Sequence, residues 1–157
     1  MKTIVAAAAL AGLTFASAAQ AASHMDRATA GAIKARQGLM QMYAMNLGIL
    51  GAMAKEEVAF DPAVASRAAS DLHALSDIDQ TGLWVEGSGN DALGDATRAL
   101  PAIWENPEDF DAAIAAMTEA ASDMQAAAGQ DLATLQGAMR GIGGACGACH
   151  KEFRQSN

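Results

Sequence analysis

Apolar positions recur every three or four residues along most of the chain, the spacing of helices that bury one face. From about Asp26 to Lys55 the inward stripe is Ile33, Arg36, Met40, Tyr43, Leu47, Leu50 and Ala54. A second segment, about Pro62 to Ile78, turns Val64, Ala68, Leu72 and Leu75 inward. The third, Pro107 to about Ala128, carries Phe110, Ile114, Met117, Ala121 and Met124. The fourth, Asp131 to about Gln155, carries Leu132, Leu135, Met139, Ile142, Cys146, Cys149 and Phe153. Asp61-Pro62 and Asn106-Pro107 each pair a good N-cap with proline at the first helical position, which predicts two of the starts. The turns "EEVAFD" and "AAGQ" are short, whereas 79 to 105 form a long connection rich in Gly, Asp and Ser. Short, long, short predicts an all-α fold: one antiparallel four-helix bundle with a crossover loop between helices 2 and 3.

Composition agrees with helix throughout. Alanine, leucine, methionine and glutamine are abundant, and only three prolines occur. The N-terminus has a different character. Lys2 is followed by an apolar run from Ile4 to Phe15, then by Ala19-Gln20-Ala21, a small-x-small cleavage pattern. That run is too short to span a membrane and reads as a secretory signal peptide over 1–21, leaving a single domain at 22–157. No later stretch is apolar enough for a membrane span, so in a bacterium the expected location is the periplasm. Without Lys2 the chain carries 9 basic and 18 acidic residues, a formal charge of −9. Such an acidic surface argues against nucleic acid and anionic membranes as partners.

The chemistry concentrates in "GGACGACHKE", residues 143–152, which holds both cysteines of the chain. On a helix, Cys146, Cys149 and His150 project to one side. Two thiols at that spacing reach the two vinyl groups of one porphyrin, while the imidazole reaches the iron. Cys-x-x-Cys-His is the attachment signal of c-type haem. Gly143, Gly144 and Gly147 weaken the helix here, and room for a flat macrocycle against the backbone is the expected reason. Two other readings compete. A disulfide oxidoreductase motif opens a helix in a strand-containing domain, whereas this one sits near the end of the last helix. A structural zinc site wants four ligands, and only three cluster. His24 falls in the N-terminal tail, and His73 lies at the edge of a polar face. Neither has a strong claim on the iron. No Ser/His/Asp set, no paired carboxylates on a shared face and no phosphate loop is present, so no enzyme activity is expected.

With these features the chain resembles cytochrome c′, of the class II c-type cytochromes. The resemblance spans the mature chain and rests on "ARQGLMQM", "AMAKEEVAFD", "PAIW" and, most specifically, "GGACGACHKEFR". It implies one haem c inside the bundle, bound through Cys146 and Cys149, with His150 as axial ligand. Arg36 and Gln37 fall where relatives contact a haem propionate, Met40 at the distal face, and Arg154 on the proximal side. Five-coordinate, high-spin iron open to nitric oxide or carbon monoxide is the family's usual state, and many members are homodimers. Low-spin members instead have a methionine ligand from the first helix, and Met40 suits either role; the open site is the expected one. Arg36 independently interrupts an apolar stripe, and a buried charge needs a partner. A propionate would supply one; otherwise the side chain would reach solvent at the bundle end. Trp84 is a candidate for packing on the haem edge or for covering loop hydrophobics. Tyr43 and Phe153 are expected in the core. Leu39, Met42 and Ile49 are the candidate dimer surface, and a diatomic gas or a periplasmic redox protein is the expected partner.

Overall fold

The computed structural model describes residues 25–156. The expected signal peptide, 1–21, and His24 lie outside the described residues. Four long helices form an antiparallel bundle: α1 (Arg27–Ala54), α2 (Pro62–Ser76), α3 (Pro107–Ala127) and α4 (Leu132–Phe153). The predicted boundaries hold to within two residues. Side-chain carboxylates start three of the helices by accepting otherwise unpaired N–H groups. Asp26 accepts from the Thr29 amide at 2.9 Å, Asp61 from Ala63 and Val64, and Asp131 from Thr134 at 2.8 Å. The capping expected of Asn106 does not occur; its amide points back toward the Ala102 carbonyl, closing the preceding helical turn. At the end of α1, Glu56 takes a left-handed φ of 61° so that the chain can reverse. Only glycine adopts that conformation freely.

The core is built as the periodicity implies. Leu39, Tyr43, Leu50 and Met53 of α1 meet Leu72 of α2, Met124 of α3, and Leu135 and Ile142 of α4. Ala65, Ala68 and Ala69 are buried on α2. Their small side chains let that helix lie close to its neighbours, which is why a segment with few large apolar residues still packs. Leu39, proposed above as part of an outer surface, faces this core instead. The α1–α4 seam is the most sparsely packed of the four.

The crossover is not a featureless loop. Short helical turns occupy Thr81–Leu83, Asn90–Leu93, Gly94–Ala96 and Ala102–Glu105. Its later part clasps the end of α4. Leu100 N donates to Phe153 O at 3.0 Å, and Gln155 N donates to Arg98 O at 2.8 Å. Gly89 is needed for close approach, since a Cβ there would lie 2.9 Å from the Trp104 ring. Among the described residues no helix is long and apolar enough to cross a membrane.

Tyr43 gives the core a pH dependence. Its hydroxyl donates to the Leu75 carbonyl at 3.1 Å, and burial pushes its pKa up to about 12. The unfolded chain loses this proton near pH ~10, before the folded one does. Stability from this group is therefore complete below pH ~10 and falls as pH rises toward 12. Tyr43→Phe should flatten that alkaline loss while costing about 1 kcal/mol at neutral pH for the missing hydrogen bond. Denaturant unfolding of both proteins at pH 7 and pH 11 checks this.

Candidate functional site

Where α1 and α4 part, the bundle holds an open-sided cavity of about 570 Å³. Four elements wall it: α1, the crossover, α3 and α4. Every candidate reaches it. Cys146, Cys149, His150 and Arg154 line it from α4 and its end, and Arg36, Gln37 and Met40 line it from α1. The sequence-derived set thus converges on one hollow.

Burial sets the protonation of the three motif residues. It pushes the Cys146 and Cys149 thiols up, with Cys146 adding to the effect on Cys149 and Arg154 opposing it. Both are free thiols. A disulfide oxidoreductase needs the reverse, a thiolate stabilised near neutral pH. His150 is pulled down by burial first and then by the positive charges of Arg154 and Arg98. A neutral imidazole is the form that donates a lone pair to a metal. Among the described residues no three His, Cys, Asp or Glu side chains gather as ligands for a bare ion.

Arg36 does not reach solvent. It is only 3% exposed, and burial lowers its pKa. Nη1 donates to Ser88 Oγ at 2.7 Å and to the Leu83 carbonyl at 3.3 Å. Nη2 donates to the Ser88 carbonyl at 2.6 Å and to Thr97 Oγ1 at 2.7 Å. Its guanidinium carbon lies 5.0 Å from the centre of the Trp84 ring. The crossover thus supplies the partners that the sequence left open, and neither Ser88 nor Thr97 carried a signal of this. Gln37 also reaches the crossover, donating to the Ala96 carbonyl at 3.1 Å.

An aromatic wall completes the cavity. Trp84 meets Phe110 edge-on at 4.8 Å, and Phe110 meets Phe153 edge-on at 5.1 Å. Phe110 and Phe153 are core residues as expected, but they serve the cavity as well. Trp84 Nε1 is buried without a hydrogen-bond partner, an arrangement natural proteins avoid unless something else fills the place. Met117 stands 3.9 Å from the Cys146 sulfur, sulfur to sulfur. The three glycines do not serve as expected. Gly143, Gly144 and Gly147 are exposed, and a Cβ on any of them would meet nothing. They lie on the outer face of α4, and Ala145 is the small residue that faces the hollow.

The residues fit a haem. An apolar slot carries two thiols and a neutral imidazole on one helix, with an unpaired indole N–H and a guanidinium on its wall. That combination defines a mono-haem c-type cytochrome built on a four-helix bundle. The profile of the cytochrome c′ family matches residues 31–154. The chain belongs to that family, whose members carry covalently bound haem c. It is 54% identical to cytochrome c-554 of Cereibacter sphaeroides over 127 residues, which cover 80% of this chain and 81% of that protein. It is 36% identical to cytochrome c′ of the same organism over 155 residues, covering 98% of both. In three dimensions it matches the solved cytochrome c′ from Rhodobacter Spheriodes with a TM-score of 0.79 and 35% identity. That match covers 82% of this chain and 98% of the other.

If Cys146 and Cys149 each form a thioether bond, acid–acetone should leave the haem of the unaltered protein on the chain. Cys146→Ala or Cys149→Ala leaves one bond and a shifted Soret band, and the double variant should release nearly all of its haem. Extraction of all haem from the unaltered protein would refute attachment at these residues.

Proposed function

We propose that the protein is a periplasmic electron carrier whose iron is held by His150, with the Met40 thioether as the sixth ligand. Bound haem c supplies an iron that alternates between ferric and ferrous states. The chain supplies the rest. Cys146 and Cys149 hold the porphyrin, and His150 offers a neutral imidazole. For a propionate the wall offers Gln37 and the unpaired Trp84 indole N–H as donors, while Arg36, whose Nη atoms are held by the crossover, adds positive charge there. Arg154 places positive charge beside His150. Nothing in the cavity is arranged to activate an organic substrate, so we assign no enzyme activity.

The observation that carries this reading is the position of Met40, which lines the same cavity as His150 but from α1. At 37% exposure its unbranched side chain has the freedom to swing toward the iron. The chain shares 54% identity with a relative named cytochrome c-554 and 36% with one named cytochrome c′. The second reading keeps the iron five-coordinate, with Met40 as a plug that a diatomic gas displaces. The close three-dimensional match to a cytochrome c′ supports it.

Visible spectra of oxidised and reduced protein, with and without carbon monoxide, separate the two. Thioether ligation predicts a low-spin spectrum that carbon monoxide leaves unchanged. Met40→Ala should then turn the iron high-spin, admit carbon monoxide and lower the reduction potential, because thioether ligation favours the ferrous state. A high-spin resting protein that binds carbon monoxide without mutation would establish the second reading.

We also propose a homodimer. Met42, Met45 and Ile49 are exposed on α1 and continue a three-and-four stripe with Ala35, Gly38 and Ala52. A charge-free apolar stripe on an otherwise acidic surface suits a second copy. Sedimentation at micromolar concentration should give the dimer mass, and Met45→Glu should give monomer with an unchanged haem spectrum. Monomer alone in the unaltered protein would remove the proposal.

A further inference from the structure

The seam between α3 and α4 has a second hollow on its outer side, a groove of about 310 Å³. Alanines floor it: Ala113 and Ala116 from α3, Ala145 and Ala148 from α4. Asp109 and Glu152 stand at its edge. Glu105 and Glu108 are exposed close by in sequence, and Lys151 offsets part of the charge by pairing with Glu152 at 3.1 Å. The groove and the haem cavity have Cys149 and Phe153 in common, as well as Ala113 and Ala145. One layer of side chains therefore separates them, and one of those side chains is a haem attachment point.

We propose that this groove is the docking face for a basic redox protein, which exchanges one electron with the iron by way of the Cys149 thioether. The proposal rests on the electron-transfer reading above. In one direction ferrous iron becomes ferric and the partner's oxidised centre gains that electron; in the other the flow reverses. Alanine side chains let an apolar patch on the partner approach closely, and electron transfer slows steeply with distance. The acidic rim steers and orients a partner whose patch is ringed by lysine or arginine. A second copy of this chain does not suit the groove, because it would bring the same acidic rim and the two would repel. Its natural place is the uncharged stripe of α1, a different face of the molecule.

The test uses the haem-loaded protein and a probe with the partner's chemistry, tris(1,10-phenanthroline)cobalt(III), which is cationic and has flat apolar edges. Anionic ferricyanide is the counter-probe. Asp109→Asn with Glu152→Gln should slow oxidation by the cobalt complex about three- to ten-fold at low salt, with the effect fading at high salt. The same change should not slow ferricyanide. Ala116→Phe, which fills the groove without altering charge, should slow the cobalt complex alone. Asp71→Asn with Asp123→Asn removes equal charge away from the groove and should have a much smaller effect. Binding is read separately. Amide shifts induced by redox-inert tris(1,10-phenanthroline)ruthenium(II) should cluster at Ala116, Ala148 and Glu152. Equal slowing by both charge pairs, no response to Ala116→Phe, or shifts spread over the surface would each overturn the proposal. Each variant's spectrum and potential should match the parent. If the electron-transfer reading itself were wrong, that would show instead as a high-spin, gas-binding spectrum in the parent.

Discussion

A guanidinium buried in an apolar stripe governs how this bundle is put together. Arg36 cannot be left in the interior without partners, since an unpaired charge there costs several kcal/mol. The crossover answers that demand. Its Leu83 and Ser88 carbonyls and its Ser88 and Thr97 hydroxyls converge on one side chain of α1. A long connection of ordinary loop composition is thereby fixed across the end of the bundle, and Trp84 is carried with it against Phe110. Arg36 thus anchors the wall of the cavity on that side, together with the clasp that Leu100 and Gln155 make between the crossover and the end of α4.

The four helices were legible because each carries a continuous stripe and an acidic cap or a proline at its start. Asp26, Asp61 and Asp131 act as their chemistry suggests. The convergence of Cys146, Cys149 and His150 on one cavity was equally plain, because their spacing puts them on one side of a helix. What could not be read was long-range. Ser88 and Thr97 lie 52 and 61 residues from Arg36, and no local pattern links them. The short helical turns of the crossover were hidden for a related reason, being held by tertiary contacts rather than by periodicity.

Leu39 faces inward and the motif glycines outward, the reverse of what their local pattern suggests, because each lies near the border of its helix's buried stripe. Leu39 lies four residues before Tyr43 and shares its inward side. Gly143 lies three residues before Cys146, yet falls beyond the edge of the buried stripe. Small angular errors matter little for large core residues but decide the face of a residue near the border. Asn106 failed differently. Its side chain was taken up by the turn before it, a competition between two local structures for one amide group.

Those outward glycines bear on how α4 keeps its shape. Gly141, Gly143, Gly144 and Gly147 are exposed within the 22 residues of α4, and the half-buried Gly137 precedes them. Each costs a helix about 1 kcal/mol relative to alanine, and the four exposed ones gain no packing in return. Of the four long segments, α4 is therefore the one least able to hold its shape alone. Even so, the stretch bearing both thiols is helical throughout. Two thioether bonds from Cys146 and Cys149 to one rigid ring would fix the distance between those sulfurs and hold that turn by covalent chemistry. A helix weakly specified by its own residues would then be reinforced by the group it carries.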